Sequence, residues 1–352
     1  MNMLQLTSSF APPALVWMAA WAVILPLTAR ANRPDIFFTI TVDPSLRESP
    51  EGRKILGGFT RSVLLFSLAG LALALIGTFA GANPALRLTL MSSGIVIQMA
   101  GIINAFATAR RRVRPYHVEA SKQREVLLAP RRTRPAAGWL GQAGPLLILA
   151  AAAFWLWLKW NQAGQRTGEA STSWKSAFGS VIFGTTLCFV LSILFNSLAR
   201  GVRRIHSSGS EAEKEARNLR SVLWLVLALE YCLALMFGFS NVMPLFLNKI
   251  LNVALSIVCV AIVIVPLRNG QGGWRLRGRS STSTQGQPVV IGDRTPDECW
   301  KIGLLYYNPN DPAVFVEKRF MAGWTVNMGN PRSWLVLGGI VIFIVTLFVV
   351  AH

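Results

Sequence analysis

The chain has 352 residues, of which 52% are hydrophobic and only 14% charged, against roughly a quarter charged in an ordinary soluble domain. This excludes a disordered chain and argues against a soluble one. Lys and Arg outnumber Asp and Glu 35 to 16, a net charge of +19, so the placement of the bases decides between a nucleic-acid binder and a membrane protein.

A helix needs about 20 mostly apolar residues to cross roughly 30 Å of hydrocarbon. Eight runs qualify, at approximately 12–29, 62–82, 88–108, 140–158, 176–198, 221–240, 244–267 and 334–350. The connections 30–61, 109–137, 200–220 and 268–333 hold six, nine, six and nine Lys or Arg, while the intervening ones hold only Arg87, Lys159, Arg166 and Lys175. Positive residues stay on the cytoplasmic side, so the multibasic connections are expected inside and both termini outside. The expectation is an all-α polytopic protein of the plasma membrane with about eight transmembrane helices and a small cytoplasmic β element. The same sorting explains the basic charge through an anionic inner leaflet, with no nucleic acid as partner. A cleaved signal peptide over 1–31, ending at Ala29-Arg30-Ala31, is the rival reading. It fails because the start carries no positive charge and cleavage would leave the basic 32–61 stretch outside.

In chain order, the divisions are an N-terminal transmembrane helix over 1–29, a cytoplasmic loop over 30–61, a six-helix region over 62–267, a cytoplasmic segment over 268–333 and a C-terminal helix over 334–352. In the first loop, residues 36–42 (IFFTITV) read as a strand closed by Asp43-Pro44. Ser49, Pro50 and Glu51 read as the N-cap and first turn of a short helix. Gly94, Gln98, Gly101 and Ala105 share a helix face suited to close packing, with Asn104 and Asn196 as further intramembrane polar residues and Gly77 with Gly81 as a GxxxG pair. Arg110, Arg111, Arg112, Arg114, Arg131, Arg132 and Arg134 read as a surface for anionic headgroups. Glu230 lies near the middle of the sixth run, where an ionisable group is costly unless neutral, paired or hydrated. A tight hairpin around Asn241 to Met243 sets it opposite Asn252, with Lys249 about a turn away. A structural clamp, an ion or proton pathway and a lipid or peptide site all remain open. Residues 275–290 read as a flexible tether.

The most distinctive segment is Cys299 to Asn330. Tyr306 and Tyr307 precede the turn signal Asn308-Pro309-Asn310-Asp311-Pro312, an apolar run resumes at Ala313 to Val316, and Gly323 to Asn327 supply a third extended piece. An isolated hairpin is marginal in water, so one β element joining 36–42 with 303–327 is expected. The candidate interaction residues are Phe37, Phe38, Trp300, Tyr306, Tyr307, Asn308, Asp311, Lys318, Arg319, Trp324 and Asn327.

With Arg33 to Phe38, Ser49 to Arg53 and Gly270 to Gly273, the pattern WKxGLxYYNPxDPxxFVEKR followed by GWTxN resembles a family of bacterial integral membrane proteins of unknown function. Its relatives overlap in architecture with SdpI-type immunity and signalling proteins. The chain lacks the Pro-Glu-x-Ile-Pro-x-His-Trp segment of the SdpI-associated pattern. The resemblance implies a membrane class and no reaction.

No HExxH, GxSxG, Walker A or GxGxxG motif occurs, and Gly270 to Gly273 lack the strand-to-helix context of a phosphate loop. Asp297 with Glu298, and Glu211 with Glu213, read as carboxylates in solvated loops. Cys188, Cys232, Cys259 and Cys299 form no CxxC pair, and His117, His206 and His352 are too dispersed to bind zinc. Metal and cofactor are therefore not expected. A non-enzymatic sensor or immunity-like protein with a cytoplasmic partner is the first reading, and a small transporter or channel using Glu230 the second. A membrane enzyme would need a titratable cluster that the sequence does not display. Ligand and oligomeric state are not legible.

Overall fold

The computed structural model describes residues 3–79, 83–120, 138–167, 174–202, 209–239, 243–277, 291–321 and 323–351. Most of the expected tether, together with Arg131, Arg132, Arg134, His206, Asn241 and Gly81, lies outside them. The chain forms two units, Met1–Arg124 with Ser283–Leu304 and Lys318–Gly323, and Glu125–Thr282 with Leu305–Glu317 and Trp324–His352.

In the first unit, α1 (Met3–Ala31), α2 (Pro50–Phe79) and α3 (Pro84–Val113) are long apolar helices. The expected Ser49 cap is real: its Oγ accepts the Gly52 N–H at 3.1 Å. The helix it opens is not short but continuous with the second span. Its 30 residues rise about 45 Å at 1.5 Å each, longer than the hydrocarbon layer, so its basic end, with Arg53 and Lys54, extends beyond the apolar stretch. Asn83 caps α3 in the same manner, ahead of Pro84. Gly70 and Gly94 bring α2 and α3 into backbone contact, since a Cβ on either would lie 2.5 Å from the other's carbonyl oxygen.

At the basic end, β1 (Ile36–Phe37) pairs antiparallel with β2 (Ile40–Thr41) in the register Ile36↔Thr41 and Phe37↔Ile40. Phe38 and Thr39 form the two-residue turn, with φ of 44° and 71°. Both central residues of a type I′ turn need positive φ, which is strained for a β-branched residue. Tertiary packing holds it: Phe38 is buried in an aromatic cluster with Phe59, Phe106 and Phe320, centroids 5.0 to 6.3 Å away.

The second unit contains α4 (Gly138–Thr167), α5 (Trp174–Gly201), α6 (Gly209–Phe239), α7 (Leu245–Asn269) and α8 (Ser333–Ala351). The α6 helix begins well before its apolar run. Glu211 and Glu213, expected in a loop, pair on this helix with Lys214 and Arg217, at helical spacings that favour it. Pro145 within α4 has no N–H to give the Gly141 carbonyl one turn earlier. Tyr231 of α6 replaces that donor, its hydroxyl donating to Gly141 O at 2.8 Å. Asn269 at the end of α7 donates to Asn218 of α6 at 3.0 Å, and the Gly270 to Gly273 cluster forms a 3-10 turn there rather than a phosphate loop.

The last strands are β3 (Trp300–Lys301) and β4 (Leu305–Tyr306), with β5 (Phe315–Glu317) and β6 (Trp324–Val326). β5 pairs antiparallel with β6 in the register Val316↔Thr325. β1 and β2 pair only with each other, in a separate sheet, which corrects the expected single β element. The β1–β2 hairpin is tied to Arg319 and Asp297 through the Thr39 carbonyl and the Thr41 hydroxyl, and to Val118 by a backbone bond from its N–H to the Thr41 carbonyl.

Among the described residues, seven helices, α1 through α7, are long and apolar enough to cross a membrane. The protein is a multi-pass membrane protein. The expected eighth span forms α8, whose described apolar stretch, Ser333–Val345, is shorter than a crossing.

Candidate functional site

Arg319 organises the basic end of the first unit. Its side chain has 0% exposure, and all five guanidinium N–H groups are used. Nε and Nη2 grip the Asp293 carboxylate at 2.9 and 2.8 Å. Nη2 also donates to Thr295 O at 2.7 Å, and Nη1 donates to Thr39 O at 3.1 Å and to Asp297 Oδ1. The cation sits 5.2 Å from the centre of the Trp300 ring, whose Nε1 donates to Thr295 Oγ1 at 2.8 Å. Burial pushes the Asp293 carboxyl upward, but the Arg319 charge and hydrogen bonds from Arg319 and Thr295 outweigh it, leaving the carboxyl below the usual aspartate range. Burial also opposes the guanidinium charge, and Asp293 and Asp297 more than restore it.

Asp297, expected in solvent, is shared by Arg319, by Thr41 Oγ1 at 2.9 Å and by His117 Nε2 at 3.2 Å. Arg110 of α3 donates to Thr39 Oγ1 at 2.6 Å. Asp35 accepts from Arg33 Nε at 3.0 Å and from the Gly292 N–H at 2.8 Å. Arg47 donates to the carbonyls of Ala29, Asn32 and Arg33, placing a cation on the negative end of α1. Thus the ends of α1 and α3, the turn before α2 and the segments 291–303 and 318–321 share one polar network above one aromatic core, to which α2 contributes Phe59.

In the second unit the Asn-Pro-Asn-Asp-Pro turn is tied internally. Asn327 Nδ2 donates to Asn308 O at 2.9 Å and Asp311 O at 3.1 Å, while its Oδ1 accepts from the N–H groups of Asn308 and Gly329, each at 3.0 Å. Tyr306 donates its hydroxyl to Asp311 Oδ2 at 2.9 Å and accepts from Asn308 Nδ2 at 3.2 Å. Trp324 packs on an α5 and α6 core containing Phe195, Leu219 and Leu223.

Of the eleven candidate interaction residues, Phe37, Phe38, Trp300, Tyr306, Arg319 and Asn327 are buried, whereas Asn308, Asp311, Lys318 and Trp324 are half-buried. Tyr307 is 49% exposed and is the member that presents its ring outward. Asp293, Thr295, Asp297, Arg47 and His117 were missed as partners. An Asp-Arg-Thr triplet in a polar loop gives no periodicity to find them by.

Within the spans, Gln98 Nε2 donates to Met18 O at 2.8 Å and Ser67 Oγ at 3.0 Å, bonding α3 to α1 and α2. Glu230 is 1% exposed. Its Oε2 accepts from Ser192 Oγ of α5 at 3.1 Å, and its Oε1 has no hydrogen-bond partner among the described residues. Asn196, one turn from Ser192, donates to the Ser192 carbonyl at 2.9 Å. Lys249 and Asn252 are exposed on α7. The expected facing of Glu230 and Asn252 is therefore corrected: α6 turns its carboxylate toward α5. Among the described residues, no group of three or more His, Cys, Asp or Glu is arranged to hold a metal ion.

Residues 309–334 match the model of a family of unknown function, DUF5808. No curated protein and no solved structure matches the chain.

Proposed function

We propose that this protein is a non-enzymatic membrane sensor or immunity-like signalling protein. Its multibasic connections lie in the cytoplasm against an anionic leaflet, both termini lie outside, and α8 completes eight crossings of the plasma membrane. The observation that carries the reading is the joint anchoring of two helix ends in one buried network: Arg47 on the end of α1, Arg110 of α3 on Thr39, and Arg319 across Thr39, Asp293 and Asp297. Buried hydrogen bonds and packed rings do not stretch smoothly, so a helix displaced by an envelope signal breaks or re-forms them as a set. A cytoplasmic partner binds at Tyr307 and Trp324. The test is affinity capture from native membranes. The expected result is a stoichiometric cytoplasmic partner that is lost with Tyr307→Ala, a variant that leaves the buried network untouched. An unchanged partner profile in both Tyr307→Ala and Trp324→Ala overturns the reading.

A second reading, transport of protons or cations, is favoured by one observation: the unpartnered Oε1 of a carboxyl group buried between helices. Ion flux in proteoliposomes that is abolished by Glu230→Gln supports it, and flux unchanged by that substitution removes Glu230 from any pathway.

A further inference from the structure

The α7 helix has no buried residue along its 25 positions. Polar side chains in its outer part fall on one line: Lys249, Asn252, Ser256 and Cys259 recur at spacings of 3, 4 and 3, the seam of a left-handed helix pair. All four are exposed, and beside them runs an exposed apolar line of Phe246, Ile250, Val253, Ile257, Val260 and Ile264.

Asn252 makes this surface more than an ordinary lipid-facing one. It lies seven residues beyond Leu245, about 10 Å along the axis, and a helix of about 37 Å exceeds the hydrocarbon layer by only a few ångströms at each end. With α7 centred across the layer the Asn252 carboxamide falls within hydrocarbon, and it makes no hydrogen bond to any described residue. Ser256 has met its own need by donating to the Asn252 carbonyl at 2.8 Å. An unsatisfied amide in hydrocarbon costs several kcal/mol. Lys249 stands nearer the helix end, and its stem is long enough to carry the ammonium to the interface.

We infer that α7 is a self-association helix, and that its occupant is the α7 of a second copy of this chain, with the two Asn252 carboxamides hydrogen-bonded to each other across a two-fold axis. A carboxamide carries donor and acceptor together, so a symmetric pair satisfies both copies with reciprocal bonds, as an isologous contact requires. The short side chains of Ser256 and Cys259 let the backbones approach, and the aliphatic line packs beside the seam. The proposal is independent of the sensor reading, because it concerns assembly within the membrane.

The test uses two differently tagged full-length copies co-expressed in native membranes and treated with copper(II)-phenanthroline. The Cys259 thiols of paired copies give up two protons and two electrons to copper(II) and form one disulfide. The expected result is a covalent dimer of twice the chain mass carrying both tags, absent in Cys259→Ser. Asn252→Leu is expected to lower its yield about three- to tenfold, in line with intramembrane side-chain hydrogen bonds. Co-purification of the two tags in lipid nanodiscs provides a readout without the cysteine and is expected to fall in the same variant. Asn252 is exposed, so this substitution leaves the fold of the monomer intact. Monomer in both assays, an adduct with a different protein, or a dimer indifferent to Asn252→Leu overturns the proposal.

Discussion

Arg319→Met removes the cation from the network and leaves Asp293, with a side chain 6% exposed, to the N–H and hydroxyl of Thr295 in its own loop. Breaking a buried ion pair from one side costs about 3–5 kcal/mol, because a charge remains without compensation. At 1.4 kcal/mol per tenfold, local opening of the network rises by about two to nearly four orders of magnitude. The spans keep their own apolar packing, so the effect is local. Hydrogen-deuterium exchange in nanodiscs is the assay, with peptides covering 36–42, 291–303 and 318–321 expected to lose protection and peptides from α4 to α6 expected to keep it. Arg319→Met combined with Asp293→Asn recovers much of the loss, since the uncompensated charge is gone. Protection unchanged in Arg319→Met refutes the reasoning. The pH dependence has a definite sign. A carboxyl held below its ordinary range contributes stability at pH values above its unfolded pKa and loses it as the pH falls through the depressed value. Wild-type protection of these peptides is therefore insensitive to the Asp293 titration near neutrality and is lost only under acid conditions below the ordinary aspartate range.

Tyr231→Phe strips the donor from the Gly141 carbonyl and is expected to lower stability by about 1–2 kcal/mol in thermal unfolding. In a Pro145→Ala background the helix supplies its own N–H, and the same substitution is expected to cost less; equal costs in both backgrounds would falsify the coupling. Asn327→Ala releases the Asn-Pro-Asn-Asp-Pro turn, leaving several main-chain groups unpaired at about 1 kcal/mol or more each. Limited proteolysis is expected to cut between 306 and 315 in that variant only. For topology, cysteines placed at Tyr116 and Tyr307 are expected to react with an impermeant maleimide after permeabilisation and not in intact cells, the reverse result inverting the orientation.

The long apolar helices and the cap at Ser49 were legible in the sequence because each depends on neighbours along the chain. A run of apolar side chains excludes water wherever its helix goes, and a capping oxygen needs only the N–H two or three residues ahead. The turn signal at 308–312 was legible for the same reason. Arg319 was legible as a candidate interaction residue but not as a buried one: only its approach to Asp293, 26 residues earlier, and to Thr39, 280 residues earlier, makes it the centre of a buried network. Glu230 was legible as a costly residue but its partner was not, because sequence places a carboxylate at a depth in the membrane without saying which way its helix is turned. Hydrophobicity and charge accumulate locally and so survive in the linear order of residues. Hydrogen-bond partners are chosen by distance in three dimensions, which the packing of helices and the short hairpins alone decides.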